Sequence, residues 1–135
     1  MRILAFDTSI SGCSAAALND DTVLAGEQVR MERGQSEALI PMIERVLAEA
    51  GLAPADLDLI AVTHGPGAFT GLRIGLATAR GLALALGIPA VGISTLETIA
   101  RAVSADRDIY RLALIDSKRA EIFAQGFDAD GKPLS

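Results

Sequence analysis

The chain has 135 residues, 50% of them hydrophobic, which is enough for a real core and excludes a disordered polar chain. Its formal net charge of −5 and pI near 4.7 argue against a general nucleic-acid-binding surface. The single cysteine, Cys13, excludes an internal disulfide and reads as a small core residue.

Residues 2–6 read as a buried first strand, followed by turn chemistry at Asp7-Thr8-Ser9. Residues 13–18 and 22–29 read as two further strands joined by the hairpin signal Asn19-Asp20-Asp21. A first helix is expected over 36–50, with Gly51 at its C-terminal cap and Pro41 near the tolerated first turn. A fourth strand over 57–63 feeds the loop Gly65-Pro66-Gly67-Ala68-Phe69-Thr70-Gly71. A second helix then runs over 72–86 and is capped by Gly87, and 89–93 is a short fifth strand. The third helix spans 94–103, where Ser94 and Glu97 have capping-box spacing. Asp106-Arg107-Asp108 reads as a linker, and two more strands follow over 112–116 and 121–127.

Three antiparallel strands followed by parallel β/α units is the ribonuclease H-like arrangement of actin, sugar kinases and Hsp70. The expected fold is therefore an α/β lobe over 1–105 with a mixed five-stranded sheet. Residues 106–135 are expected to hold the linker and first hairpin of a second, incomplete lobe. The stretch 3–6 is too short for the apolar region of a secretory leader. The longest uncharged run, 81–95, is broken by Gly87 and Pro89 and is too short to cross a bilayer. A cytoplasmic location is the expectation.

Four residues could line a nucleotide-type cleft: Asp7 and Thr8 after the first strand, and Gly65 and Gly67 in the loop. A carboxylate in such a turn can face phosphate or Mg²⁺, although it is equally a polar strand-to-turn junction. The loop is not a Walker A sequence, because no Gly-Lys-Ser/Thr follows, and its glycines at 65, 67 and 71 miss the G-x-G-x-x-G spacing. The glycines could offer an anion site at a helix N-terminus, or could let helix and sheet pack closely. His64 is the one histidine, with no second imidazole to make a metal pair or to activate Cys13. No catalytic residue, metal ligand or cofactor is expected.

The second helix is apolar all round, and only Arg73, Thr78 and Arg80 interrupt it. In the first helix Leu39, Ile43 and Val46 form a stripe that Met42 widens. Because little chain remains to cover both, Leu39, Met42, Ile43, Val46, Leu72, Leu76 and Ala79 are expected at a protein interface. Gly75, Ala79 and Ala83, four apart, would let a partner helix approach closely.

The runs Ile3-Leu4-Ala5-Phe6-Asp7-Thr8, Gly65-Pro66-Gly67-Ala68-Phe69-Thr70-Gly71-Leu72-Arg73-Ile74-Gly75 and Gly92-Ile93-Ser94-Thr95-Leu96-Glu97 resemble the TsaB (YeaZ) family. So does Leu114-Ile115-Asp116-Ser117-Lys118-Arg119-Ala120-Glu121-Ile122-Phe123. The resemblance implies a subunit of the bacterial machinery that makes N6-threonylcarbamoyladenosine at adenosine 37 of tRNA. It implies a heterodimer with the catalytic paralogue TsaD, recruitment of the ATPase TsaE, contact with tRNA only through the complex, and a homodimer when alone. TsaD carries a His-x-x-x-His metal motif after the strand that follows the second helix. The matching stretch here, from Val91 to Thr98, has no histidine, which implies a non-catalytic member. Many relatives have a histidine where this chain has Gln35. A sugar-kinase-like ATP-using enzyme is the alternative reading, carried by the fold and Asp7-Thr8 alone.

Overall fold

A computed structural model describes residues 1–103, 110–117 and 121–134. Strands β1 (Arg2–Asp7), β2 (Gly12–Asn19) and β3 (Thr22–Arg30) lead into helix α1 (Gln35–Ala50). Strand β4 (Leu59–Gly65), helix α2 (Phe69–Leu86), strand β5 (Ala90–Ser94) and helix α3 (Thr95–Ala102) follow. The five strands form one sheet in the order β3-β2-β1-β4-β5. Strands β1, β2 and β3 pair antiparallel, and β4 is parallel to both β1 and β5. This is the mixed sheet expected from the element order.

Alternation along the strands sends Leu4, Phe6, Cys13, Ala15, Ala17, Ala25, Ile60 and Val62 into one core. Helix α1 covers β2 and β3 and α2 covers β4, so both helices lie on the same face. The buried positions of α1 (Leu39, Met42, Ile43, Val46 and Leu47) recur at helical spacing. On α2 the buried residues are Gly71, Gly75 and Ala79, one per turn. A Cβ added to Gly75 would meet the Thr8 hydroxyl at 2.8 Å and Val62 at 3.3 Å. Helix α2 therefore rests almost directly on the sheet.

Helix α3 lies at the other face and packs against strands β6 (Arg111–Asp116) and β7 (Ile122–Phe127), an antiparallel hairpin with its own small sheet. Leu96, Ala100, Ala113, Ile115 and Phe127 form this second core. Arg101 ties α3 to the turn after β7, donating Nε to the Glu97 carboxylate at 3.0 Å and Nη2 to the Gly131 carbonyl at 3.4 Å.

Local differences from the sequence expectations have specific causes. Helix α1 starts at Gln35, so Pro41 stands in its second turn and not its first. Residues Pro54–Asp56 form a short 3₁₀ turn, and β4 starts later than expected. Helix α2 begins at Phe69 because the end of the glycine loop is already helical. Ser94 caps α3 by accepting the Glu97 amide at 3.4 Å. Glu97 does not complete a capping box, because its carboxylate is turned toward Arg101. The linker read at Asp106-Arg107-Asp108 lies outside the described residues.

Candidate functional site

Asp7 ends β1 and organises its own turn. Its Oδ1 accepts the Ser9 amide at 3.1 Å and the hydroxyls of Ser9 and Thr63. Next to it Thr8 is buried and donates its hydroxyl to the Gly71 carbonyl at 2.6 Å. The glycine loop is seated on this turn. A Cβ at Gly67 would fall 2.3 Å from the Ser9 carbonyl oxygen, and one at Gly71 would fall 2.0 Å from that of Thr8. The Ala68 amide is taken by the Ser9 carbonyl at 2.7 Å.

The sequence left two readings of these glycines open, and the contacts around Gly67 and Gly71 are those of close packing. An anion cradle needs free amides aimed at empty space. Here Gly67 and Gly71 face backbone oxygens, and Gly65, at φ +115°, faces Leu72. Of the four expected cleft residues only Asp7 lines an open groove; Thr8, Gly65 and Gly67 belong to the seam between β1 and α2.

That groove, about 500 Å³, runs over the sheet face away from α1 and α2. Its floor is a cross-strand row of small residues, Gly26, Ala16, Ala5 and Ala61, which the strand registers set side by side. Ser14, Gln28, Thr63 and Thr98 add polar atoms. Sequence reading missed Ser9 and Thr63 as partners of Asp7; only the parallel register of β1 and β4 brings Thr63 there. Among the described residues no three His, Cys, Asp or Glu side chains gather to hold a metal. His64 is exposed and lies against Gly92. Cys13 is buried, and desolvation together with the charges of Asp7 and Glu27 pushes its thiol pKa up, away from a reactive thiolate.

The expected interface residues divide differently. Leu39, Met42, Ile43, Val46 and Ala79 are buried in the chain's own core, so they are not available to a partner. Leu72 and Leu76 are half-buried on the flanks of α2. The reason is the small stripe: Gly71, Gly75 and Ala79 turn inward because only they let the helix reach the sheet. They serve helix-on-sheet and not helix-on-helix packing. The outward crest of α2 then carries Phe69, Arg73, Ala77, Arg80, Gly81 and Leu84, all exposed. Leu84 is 86% exposed, and the Arg73 guanidinium sits 5.3 Å from the Phe69 ring centroid. Among the described residues α2 is the helix long and apolar enough to cross a membrane, but both strands it joins are neighbours in one sheet.

Comparison with known proteins fixes the family. The family model described as TsaD, tRNA N6-adenosine threonylcarbamoyltransferase, matches residues 29–134. A protein of Escherichia coli named tRNA threonylcarbamoyladenosine biosynthesis protein TsaB is 38% identical over 131 residues, covering 96% of this chain. The chain belongs to the TsaD family, in its TsaB (YeaZ) branch. The TsaB protein of Bacillus subtilis is 37% identical over 91% of this chain. The structure of YeaZ from Pseudomonas aeruginosa superposes with a TM-score of 0.88 at 34% identity, over 98% of this chain and 63% of that one. A ROK hexokinase from Thermus thermophilus superposes with a TM-score of 0.59 at 23% identity, over 99% of this chain and 49% of that one. That second likeness is one of fold alone, the actin/sugar-kinase type. The chain spans 56% of the Escherichia coli relative's length and 53% of the Bacillus one.

Proposed function

We propose that the chain acts in the making of N6-threonylcarbamoyladenosine in tRNA as a non-catalytic subunit that docks on the catalytic paralogue TsaD. The observation that carries this reading is the outward crest of α2, where Ala77, Gly81 and Leu84 leave an apolar strip uncovered. Exposed apolar area of this kind marks a protein contact more often than a free surface. On α1, Ile40 is also 42% exposed. Support for a non-catalytic role comes from the site: Asp7 is engaged with Ser9 and Thr63, and Cys13 is buried with a raised pKa. The sugar-kinase alternative rests on fold likeness alone and is set aside.

The ATPase TsaE and tRNA then meet the chain within the complex, in the cytoplasm. Residues 106–135 are read as the first hairpin of a second lobe. Leu112 and Ile122, 67% and 66% exposed on the hairpin face away from α3, support that reading, since a two-stranded hairpin is marginal without a covered face.

The test is co-purification of the chain with a TsaD paralogue. Ala77→Glu and Leu84→Glu are expected to release it while circular dichroism stays unchanged, and Asp7→Ala is expected to retain it. Retention by Leu84→Glu would show that the contact lies elsewhere. Metal-dependent turnover of ATP or peptide by the chain alone, lost in His64→Ala, would overturn the non-catalytic reading.

A further inference from the structure

We infer that helix α3 and the β6–β7 hairpin form one cooperative unit, which opens from the five-stranded sheet as a body about the β5–α3 junction. The unit lies on the face of the sheet away from α1 and α2, so it is separate from the docking face proposed above.

The apolar side of α3 is turned to the hairpin. Leu96, Ile99 and Ala100 pack with Ala113, Ile115 and Phe127, and none of these six belongs to the core of the sheet. Arg101 strengthens the same contact: its guanidinium lies so near the turn after β7 that a Cβ added to Gly131 would meet Cζ at 3.1 Å. A helix of eight residues is too short to hold its shape in water unaided. A two-stranded hairpin is marginal for the same reason, since it has no second layer of its own. Each therefore needs the other, and losing the hairpin removes the face on which α3 is folded.

The joint between α3 and the sheet has the opposite character. Thr98 lines the groove across from Asp7 and Thr63, and donates its hydroxyl within its own helix, to the Ser94 carbonyl at 3.0 Å. Thr95 is 2% exposed, and its hydroxyl has no hydrogen-bond partner among the described residues. A stranded hydroxyl of this kind favours any state in which water reaches it. On β5, Val91 and Ile93 stay 41% and 38% exposed, so the helix that follows does not seal that strand. The contact with the hairpin is thus apolar and closed, and the contact with the sheet is polar and partly wet. Local opening follows the weaker contact. The covalent link between the two bodies is the β5–α3 junction, where Ser94 is extended at φ −61° and ψ 130°. Because Thr98 moves with α3 while Asp7 and Thr63 stay with the sheet, opening widens the groove.

The experiment is native-state hydrogen exchange on the chain and on Phe127→Ala, Leu39→Ala and Thr95→Val. In the chain, the amides of α3, β6 and β7 are expected to share one opening and to exchange faster than those of β1, β2 and β4. Phe127→Ala should speed exchange in α3 and the hairpin together by about tenfold or more, and leave the sheet unchanged. Leu39→Ala should speed the sheet and leave α3 at its original rate. Thr95→Val should slow α3 and the hairpin together by about tenfold, because no hydroxyl is then stranded when the joint closes. If Phe127→Ala abolishes protection in the hairpin outright, Phe127→Leu grades the same effect. Amides of α3 that ignore both Phe127 variants and follow Leu39→Ala would assign the helix to the sheet and overturn the unit. Equal acceleration of every element by Phe127→Ala and by Leu39→Ala would overturn it as well. Faster or unchanged exchange in Thr95→Val would overturn the weak joint.

Discussion

The Thr8 hydroxyl donates to the Gly71 carbonyl at 2.6 Å, joining the end of β1 to the first turn of α2 across sixty-three residues of sequence. The contact is buried, and it exists only because position 71 has no Cβ to strike the Thr8 carbonyl oxygen.

Gly71→Ala is therefore expected to destabilise the chain by about 1–3 kcal/mol or more, as overpacking forces the backbones apart. Gly81 sits in the same helix with open space around it. Gly81→Ala should be neutral or stabilising by up to about 1 kcal/mol, through helix propensity alone. Urea unfolding of the two variants side by side checks both signs.

Asp7→Ala removes the acceptor of the Ser9 amide and of two hydroxyls in a half-buried turn. A loss of about 1–3 kcal/mol is expected from the donors left unpaired. Binding of the paralogue should be unaffected, because the turn lies away from the outward crest of α2. Thermal unfolding and co-purification read the two effects separately.

Leu39 is 1% exposed within the core under α1. Leu39→Ala should cost about 2–5 kcal/mol through lost transfer energy and a residual cavity. Leu39→Glu should not yield a folded monomer, in contrast to Leu84→Glu on α2. Circular dichroism distinguishes the two positions directly.

Glu27 on β3 accepts from Arg45 on α1, Nε at 3.0 Å and Nη2 at 2.5 Å. The hydrogen bond from Arg45 holds the Glu27 carboxyl below its ordinary pKa. A lowered folded-state pKa means the stabilisation is present above the unfolded-state value and disappears as pH falls through the folded one. Glu27→Gln should thus lower Tm slightly at neutral pH and leave it unchanged once the pH is well below the ordinary glutamate range. Arg45 is exposed and Glu27 half-exposed, so the effect is small and shrinks with added salt. A Tm difference that grew toward acid would contradict the sign.

The order of strands and helices was legible in the sequence because periodicity and turn residues are local signals. Short apolar runs bounded by turn residues marked β1 and β2, Gly51 and Gly87 marked the ends of α1 and α2, and Ser94 marked the start of α3. The GPGAFTGLRIG run carried the family. Gln35 is nearly buried and donates to the Met31 carbonyl at 3.4 Å, a role at the helix start that its position alone did not disclose. What only the tertiary structure decided is which way each helix faces. Hydropathy made α2 apolar all round and named no buried side, whereas in the structure Leu84 is 86% exposed and Gly71, Gly75 and Ala79 are buried. The distance between a helix and a sheet is set by the smallest side chains between them, and whether leucines lie inside or outside follows from that distance. The same steric fact seats Gly67 and Gly71 against the backbone oxygens of Ser9 and Thr8. No residue spacing reveals it, because Thr8 and Gly71 meet only when β1 and α2 are stacked.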